Sequence, residues 1–383
     1  MSQTLSNIAV LTHCNDLGGK IWNPAIRWTR KYAVFIEVTD NHGRCGLGEC
    51  WCFDTAPDAL VAFLRTEVIP QFLGVAVEDV TPVAQRLVAQ ATLTARHGIL
   101  RSALSGIDIA TWDLTAKTRG VPLWTCLSPE GPGEAGLYAS GGLYGTGKTT
   151  ADLVTEMTGF ADRGFRLSKM KVGAEDLEAD IARVTAVLSA LPAEAKLIID
   201  GVYSYSSDQA MTLFDALPPG RIHAFQSPTK SWDYGGMARL SRAGVPVMAT
   251  EAEYRDELHI KLVEDAEVAF LQTAPIAAGG LSRVQALADL VRPTHTRLSL
   301  EVSSTAVALM AAAHAAASES QIADVEHHMV HSVFYDRLYL RRNPLVQDHF
   351  SLPDQAGLGI TLPPSLVSVA FEAGAGDAPQ DAA

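Results

Sequence analysis

From about Ala135 onward, short apolar runs recur at regular intervals, with an amphipathic stretch between each pair. The runs are Leu137–Ser140, Arg166–Lys171, Lys196–Asp200, Ala224–Gln226, Val247–Thr250, Val268–Gln272, Arg297–Glu301 and Ile322–Glu326. They have the length of buried strands, and the stretches between them carry the 3.6-residue period of helices. Those helices are Thr150–Arg163, Glu175–Leu191, Ser207–Leu217, Tyr234–Arg242, Glu257–Asp265, Gly280–Val291 and Ser304–Ala317. Eight strands separated by helices, with no reversal signals, predict a parallel (β/α)8-type barrel. An open doubly wound sheet is the rival, and one motif favours it. Gly142-Leu143-Tyr144-Gly145-Thr146-Gly147-Lys148-Thr149 matches the phosphate-cradling loop pattern between a predicted strand and a predicted helix. Asp200 could then pose as the acid of its Mg2+ site. Glycine-rich loops are also common at barrel mouths, and the motifs below fit the barrel better.

Ahead of the barrel the rhythm is different. Ile8–Leu11 and Tyr32–Thr39 alternate as strands, Asn41–Arg44 offers a turn, and Cys45–Cys50 continues as a third strand. Asn15–Arg27 reads as a polar, glycine-containing loop between the first two strands, and Trp51–Pro57 as a loop after the third. Helical patterns follow at Pro57–Thr66, Val80–Gln90 and Ala95–Gly120, which makes an α+β unit. The 383 residues suffice for two such units.

The composition excludes several classes. With 48% hydrophobic and 19% charged residues the chain is globular rather than disordered. A net charge of −13 without a basic stripe argues against a nucleic-acid partner. The longest apolar stretch, Ala306–Ala317, is too short to span a bilayer, so no membrane partner is expected. The N-terminus lacks the basic-then-apolar pattern of a secretion signal. Cys14, Cys45, Cys50, Cys52 and Cys126 are odd in number and loosely spaced, and read as reduced thiols of a cytoplasmic protein.

In a (β/α)8 barrel the chemistry sits at the carboxyl ends of the strands. The second strand ends Lys169-Met170-Lys171, so two ammonium groups share one side of it. Crowding and burial should lower the proton affinity of at least one, and such a lysine can act as a general base. One solvated and one salt-bridged lysine is the bland alternative. Asp200 closes an apolar third strand and suits either a metal ligand or a helix cap. Gln226 ends the fourth strand and Glu251 follows the fifth. Gln272 to Ala274, at the end of the sixth, offer no ionisable group. Glu301 ends the seventh strand and Glu326 the eighth, each equally at home as a surface or capping acid. Two lysines facing Asp200, Glu251 and Gln226 suit a cation that holds a substrate carboxylate while a base removes the adjacent proton.

With those residues in place, the chain resembles the enolase superfamily, of the mandelate racemase and muconate lactonizing type, from about Tyr32 to Leu362. Ala103-Leu104-Ser105-Gly106-Ile107-Asp108-Ile109-Ala110-Thr111-Trp112-Asp113-Leu114 resembles the helix leading from lid to barrel. Gly46-Leu47-Gly48-Glu49 resembles the lid-strand signature, Lys169-Met170-Lys171 the Lys-x-Lys motif, and Leu352-Pro353-Asp354 with Gly357-Leu358-Gly359 the C-terminal return to the lid. The resemblance implies a capping domain at residues 1–128, a catalytic barrel at 129–340 and a returning segment at 341–383. It implies Lys171 as base, Lys169 as its neighbour, and Asp200, Gln226 and Glu251 as ligands of Mg2+. Glu326 falls where relatives keep an acid that hydrogen-bonds substrate, and Asn15–Arg27 and Trp51–Pro57 resemble the loops that close over it. Tyr138 and Tyr144 are candidates for the pocket wall or for packing. A small carboxylate substrate and a homo-oligomer are further implications.

The departures narrow the chemistry. Relatives usually carry Glu where Gln226 stands, and an amide oxygen brings no charge. The His-Asp dyad of the racemases is absent, its places being taken by Glu301 and Ala274, and no lysine stands on the sixth strand. One-sided base chemistry suits a lyase: a dehydratase of an acid sugar or hydroxy acid, with Lys171 removing the α-proton and Glu301 or Glu326 as acid. A racemase, epimerase or cycloisomerase, and a binding protein that has lost catalysis, are the alternatives. His327 and His328 follow the eighth strand, where loop or packing roles are expected.

Overall fold

The computed structural model describes residues 2–52, 56–91, 96–251, 253–331 and 348–362. An antiparallel sheet of β1 (Leu5–Trp22), β2 (Arg27–Asp40) and β3 (Cys45–Cys50) opens the chain. It is followed by helices α1 (Asp58–Phe63), α2 (Val80–Ala91), α3 (His97–Arg119) and α4 (Leu123–Leu127). The barrel begins with β4 (Glu134–Ser140), the two-residue β5 (Tyr144–Gly145), α5 (Thr150–Asp162), β6 (Leu167–Lys171) and α6 (Leu177–Ala190). It continues through β7 (Lys196–Asp200), α7 (Ser207–Asp215), β8 (Ile222–Gln226), α8 (Tyr234–Arg242), β9 (Val247–Ala249) and α9 (Asp256–Glu264). It ends with β10 (Phe270–Thr273), α10 (Pro275–Ala278), α11 (Leu281–Val291), β11 (Arg297–Leu300), α12 (Ala306–Ser318) and β12 (Ile322–His328). Strands β4 and β6 to β12 are parallel, and pairing of β12 with β4 closes them into an eight-stranded barrel. A short strand β13 (His349–Ser351) pairs antiparallel with β4.

The polar segment Asn15–Arg27 departs from the expected loop. Strand β1 runs on to Trp22 and β2 starts at Arg27, with a register shift between Asp16 and Ile21 where Gly18 and Gly19 take positive φ. The result is an extended arm. Its tip pairs with β5 at the barrel mouth, Ile21 opposite Gly145 and Trp22 opposite Tyr144. The phosphate-loop pattern is thereby accounted for. Residues Tyr144 and Gly145 are sheet, and Thr149 forms a capping box with Asp152, which places a carboxylate where a phosphate would sit. Gly142 is needed for packing, because a Cβ there would run into Met170.

The residues of the lid signatures join the two units. Strand β3 lies so close to α3 that a Cβ at Gly46 or Gly48 would collide with the backbone of Ala110 or Gly106. Asp113 accepts from the backbone N–H of Leu47 and of Leu358, both at 2.7 Å, and so ties β3, α3 and the returning C-terminal segment together. Asp108 accepts from Ser282 at the start of α11, and its burial pushes its pKa up to about 6. Glu49 accepts from Ser304, Thr305 and the Ala308 N–H, capping α12 from the lid. Every residue of α12 is buried. This explains why Ala306–Ala317 is apolar all round: it is covered on both sides. Among the described residues no helix is long and apolar enough to cross a membrane.

Candidate active site

Strand alternation builds the site. In β6, Met170 packs outward among the helices while Lys169 and Lys171 point into the barrel. Lys169 Nζ lies 2.7 Å from Glu326 Oε1 and donates to Gln226 Oε1 at 3.0 Å, with the ring of Tyr138 beneath it at 5.5 Å. Lys171 Nζ donates to Asp200 Oδ2. Asp200 and Gln226 are register partners on β7 and β8, so their oxygens stand side by side. Glu251, just past β9, accepts from Ser227 Oγ at 2.9 Å.

The turns after β7 and β8 are strained to achieve this. Val202, Tyr203 and Ser227 have φ of 44°, 61° and 43°, a region that non-glycine residues rarely adopt, β-branched valine least of all. The turn delivers the Val202 N–H to Asp200 Oδ1 at 3.0 Å and the Tyr203 hydroxyl to Thr250 Oγ1 at 2.5 Å.

The electrostatics at Lys169 run against a lowered proton affinity for that lysine. Burial works to lower the proton affinity of Lys169, but Glu326 and Asp200 outweigh it, and its pKa is raised. The two lysines do not face each other in isolation, because the site holds more acids than amines. Glu326 is pushed up by burial, yet Lys169 and Lys171 bring it below the ordinary carboxylate value. Glu251 is raised by burial and by Asp200. Glu301 is pushed up to about 8 by burial, Glu326 and Glu251, and among the described residues its Oε2 has no hydrogen-bond partner.

All seven candidate residues, Lys169, Lys171, Asp200, Gln226, Glu251, Glu301 and Glu326, line one cavity of about 260 Å³. Its lid-side wall comes from the arm, with Asn23, Ala25, Ile26 and Trp28, and from Trp51. Tyr138 and Tyr144 are outside it. Tyr138 is fully buried, and the Tyr144 hydroxyl donates to Asp180 and accepts from Arg183. Phe53–Thr55, within the second predicted lid loop, lie outside the described residues.

Sequence reasoning missed several lining residues. Strand β12 does not end at Glu326 but runs to His328. Alternation then sends His328 into the cavity with Glu326, and His327 outward against Phe165. The two-residue spacing from Glu326 was the available signal. Trp28, Tyr203 and Tyr254 also line the cavity and had no such signal, since the bends that bring them there are tertiary.

Asp200, Gln226 and Glu251 fit a hard divalent cation. They present oxygen donors from three consecutive strand ends, and Asp200 works to raise the pKa of Glu251 although the ammonium groups of Lys171 and Lys169 both lie against Asp200. Two of the donor oxygens, Asp200 Oδ2 and Gln226 Oε1, accept from the lysines. No cluster of three His, Cys, Asp or Glu side chains suited to a metal exists among the described residues, and the set here is two carboxylates and an amide.

Comparison with known proteins agrees with this geometry. Residues 27–127 match the family model of the mandelate racemase / muconate lactonizing enzyme N-terminal domain, and residues 152–366 that of the enolase C-terminal domain-like family. An arabinonate dehydratase of Saccharolobus solfataricus is 24% identical over 86% of this chain and 88% of its own length. A D-galactarolactone cycloisomerase of Agrobacterium fabrum is 27% identical over 92% of this chain and 96% of its own. A racemase from Streptomyces coelicolor A3(2), solved with bound magnesium, superposes with a TM-score of 0.85 at 24% identity, covering 96% of this chain and all of that one. A barrel with paired lysines facing carboxylates, a lid pinned to it through Glu49, Asp108 and Asp113, and both family matches lead to one conclusion: the chain is an enzyme of the enolase superfamily, of the mandelate racemase and muconate lactonizing type.

Proposed function

We propose that this enzyme is a Mg2+-dependent dehydratase of a hydroxy acid or acid sugar. Lys171 removes the proton next to the substrate carboxylate, the Lys169 ammonium faces the negative charge that results, and Glu301 gives a proton to the departing β-hydroxyl. Asp200, Gln226 and Glu251 hold the metal, which supplies positive charge against the substrate carboxylate. The observation that carries this reading is the one-sidedness of the cavity. The amines stand on β6, a carboxyl with an unpartnered oxygen stands after β11, and β10 between the metal-type residues and Glu301 contributes only Gln272, Thr273 and Ala274. A base on one arc and an acid on the other suit elimination. Among the described residues, neither a lysine nor a His-Asp pair stands at the ends of β10 and β11, so a two-base exchange of configuration lacks a second base at those positions.

Cycloisomerisation is the second reading, favoured by the cycloisomerase relative that aligns over 92% of the chain. The two differ in whether water leaves, which the product mass decides. The same reading takes residues 1–128 as the cap, 129–340 as the barrel and 341–383 as the segment that returns to the cap, in a cytoplasmic homo-oligomer acting on a small carboxylate without nucleic-acid or membrane partners. Calorimetric titration of metal-stripped protein with Mg2+ tests the ligand set, and binding near one ion per chain is expected. A screen of carboxylic acids for deuterium uptake at the α-carbon then tests the base. Absence of both Mg2+ binding and exchange would sink the enzymatic assignment of these residues.

A further inference from the structure

The cavity has two unlike walls. The barrel wall carries the charged groups, with neutral Gln226 and Ser303 among them. The lid-side wall is built from Asn23, Ala25, Ile26 and Trp28 of the arm and from Trp51, and Tyr254, Ala274 and Ala277 add to the uncharged lining. Among the described residues, Lys169 and Lys171 are the only cationic side chains that line the cavity, and both are engaged at the barrel wall by Glu326, Gln226 and Asp200. His328 brings no charge, since burial and the nearby lysines push its pKa well down. Lys31 lies near the lid wall but is buried, with its Nζ 4.8 Å from the Trp51 ring.

A second carboxylate at the far end of a substrate would therefore meet indole, alkyl and phenol surface and the Asn23 amide, none of it cationic, with Glu251 and Glu301, which form no ion pair among the described residues, close by. Burying an anion there without a partner is strongly unfavourable. An uncharged flank is not penalised, and an aromatic and alkyl wall favours it through burial of apolar surface. The cavity, about 260 Å³, is of a size for a small acid. We propose that the substrate is a compact monocarboxylate whose distal part is uncharged and largely apolar or ring-shaped, and that Ile26, Trp28 and Trp51 select it against dicarboxylates. This rests on the reading above that the carboxylate binds at the charged wall.

The test pairs acids of matched length, each monocarboxylic hydroxy acid with its dicarboxylic counterpart. Binding to the full chain with Mg2+ is read by calorimetry and tryptophan fluorescence, and α-deuterium uptake is read separately. At least a tenfold preference for the monocarboxylates is expected, together with reversal or loss of that preference in Ile26→Arg, whose cation lies on the turn at the tip of the arm. Equal or tighter binding of the dicarboxylates, or binding of neither class, overturns the assignment of the wall. Selective binding of monocarboxylates with no deuterium uptake supports the wall and overturns the role of Lys171 instead.

Discussion

The two arcs of the barrel mouth answer burial in opposite ways. Along β6 to β9 the ionisable groups are paired: Lys169 with Glu326 and Gln226, Lys171 with Asp200, Glu251 with Ser227. Along β10 and β11 the sixth strand is neutral, and Glu301 is buried with one oxygen unpartnered among the described residues. Its pKa of about 8 follows from that isolation, burial first and then Glu326 and Glu251. The difference teaches where protons can move. A paired arc stabilises charge that arrives or forms there, while a buried acid with raised pKa holds a proton it can give up.

Five experiments break or sharpen that contrast. Lys171→Ala should reduce α-proton exchange by at least about 10³-fold while thermal unfolding stays cooperative, because a general base contributes on this scale. Unchanged turnover moves the base elsewhere. Glu301→Gln should cost about 10²-fold in elimination. The wild-type rate should fall as pH rises through about 8, where Glu301 loses its proton, and this limb should vanish in the variant. A pH profile identical in both removes Glu301 from the acid role. Glu49→Ala leaves the hydroxyls of Ser304 and Thr305 and the Ala308 N–H without their buried acceptor. Denaturant melting should show a loss of about 2 kcal/mol. Gln226→Glu adds a charge beside Asp200 and should tighten Mg2+ by about tenfold or more. Calorimetry showing unchanged affinity places Gln226 outside the metal shell.

The last effect, small for each group, is a pH dependence of stability. His259, His314 and His327 are buried and held neutral, with pKa lowered to about 4 chiefly by burial, and His328 and His331 are lowered further. A histidine with folded pKa below its unfolded value contributes stability that is intact above about pH 6.5 and is lost as pH falls toward 4. Each contributes at most about 1.4 kcal/mol per pH unit in that window. His314 accepts from the Trp124 N–H through Nδ1, so it cannot protonate there without breaking that bond. The Tm should drop between pH 6.5 and 5, and His314→Gln should flatten the slope. A flat Tm across that range contradicts the neutral state of these rings.

Much of this was legible in the chain because the relevant signals are local. Alternation along β6 puts Lys169 and Lys171 on one side whatever the rest of the fold does. The eight apolar runs and the helices between them are periodic within windows of a dozen residues, and all eight strands stand where their runs do. Gly46 and Gly48 are demanded by a strand lying against a helix, and a sequence records that demand as missing side chains. The arm was less legible. Asn15–Arg27 is polar because much of it is solvent-facing, and polarity alone does not separate a loop from a hairpin that finds its partner, β5, more than a hundred residues later. The end of β12 was misplaced for the same reason: His327 and His328 are strand only because β4 pairs with them.

The sequence alone determined the barrel, its lid, the paired lysines and the row of oxygen donors at Asp200, Gln226 and Glu251, since each depends on residue type and short-range period. The tertiary structure decided that Lys169 is held protonated by Glu326, that Glu301 is isolated, that His328 faces the cavity, and that the wall opposite the charges is aromatic and uncharged. Those properties depend on burial and on charges brought together from distant strands, and neither quantity exists until the barrel has closed.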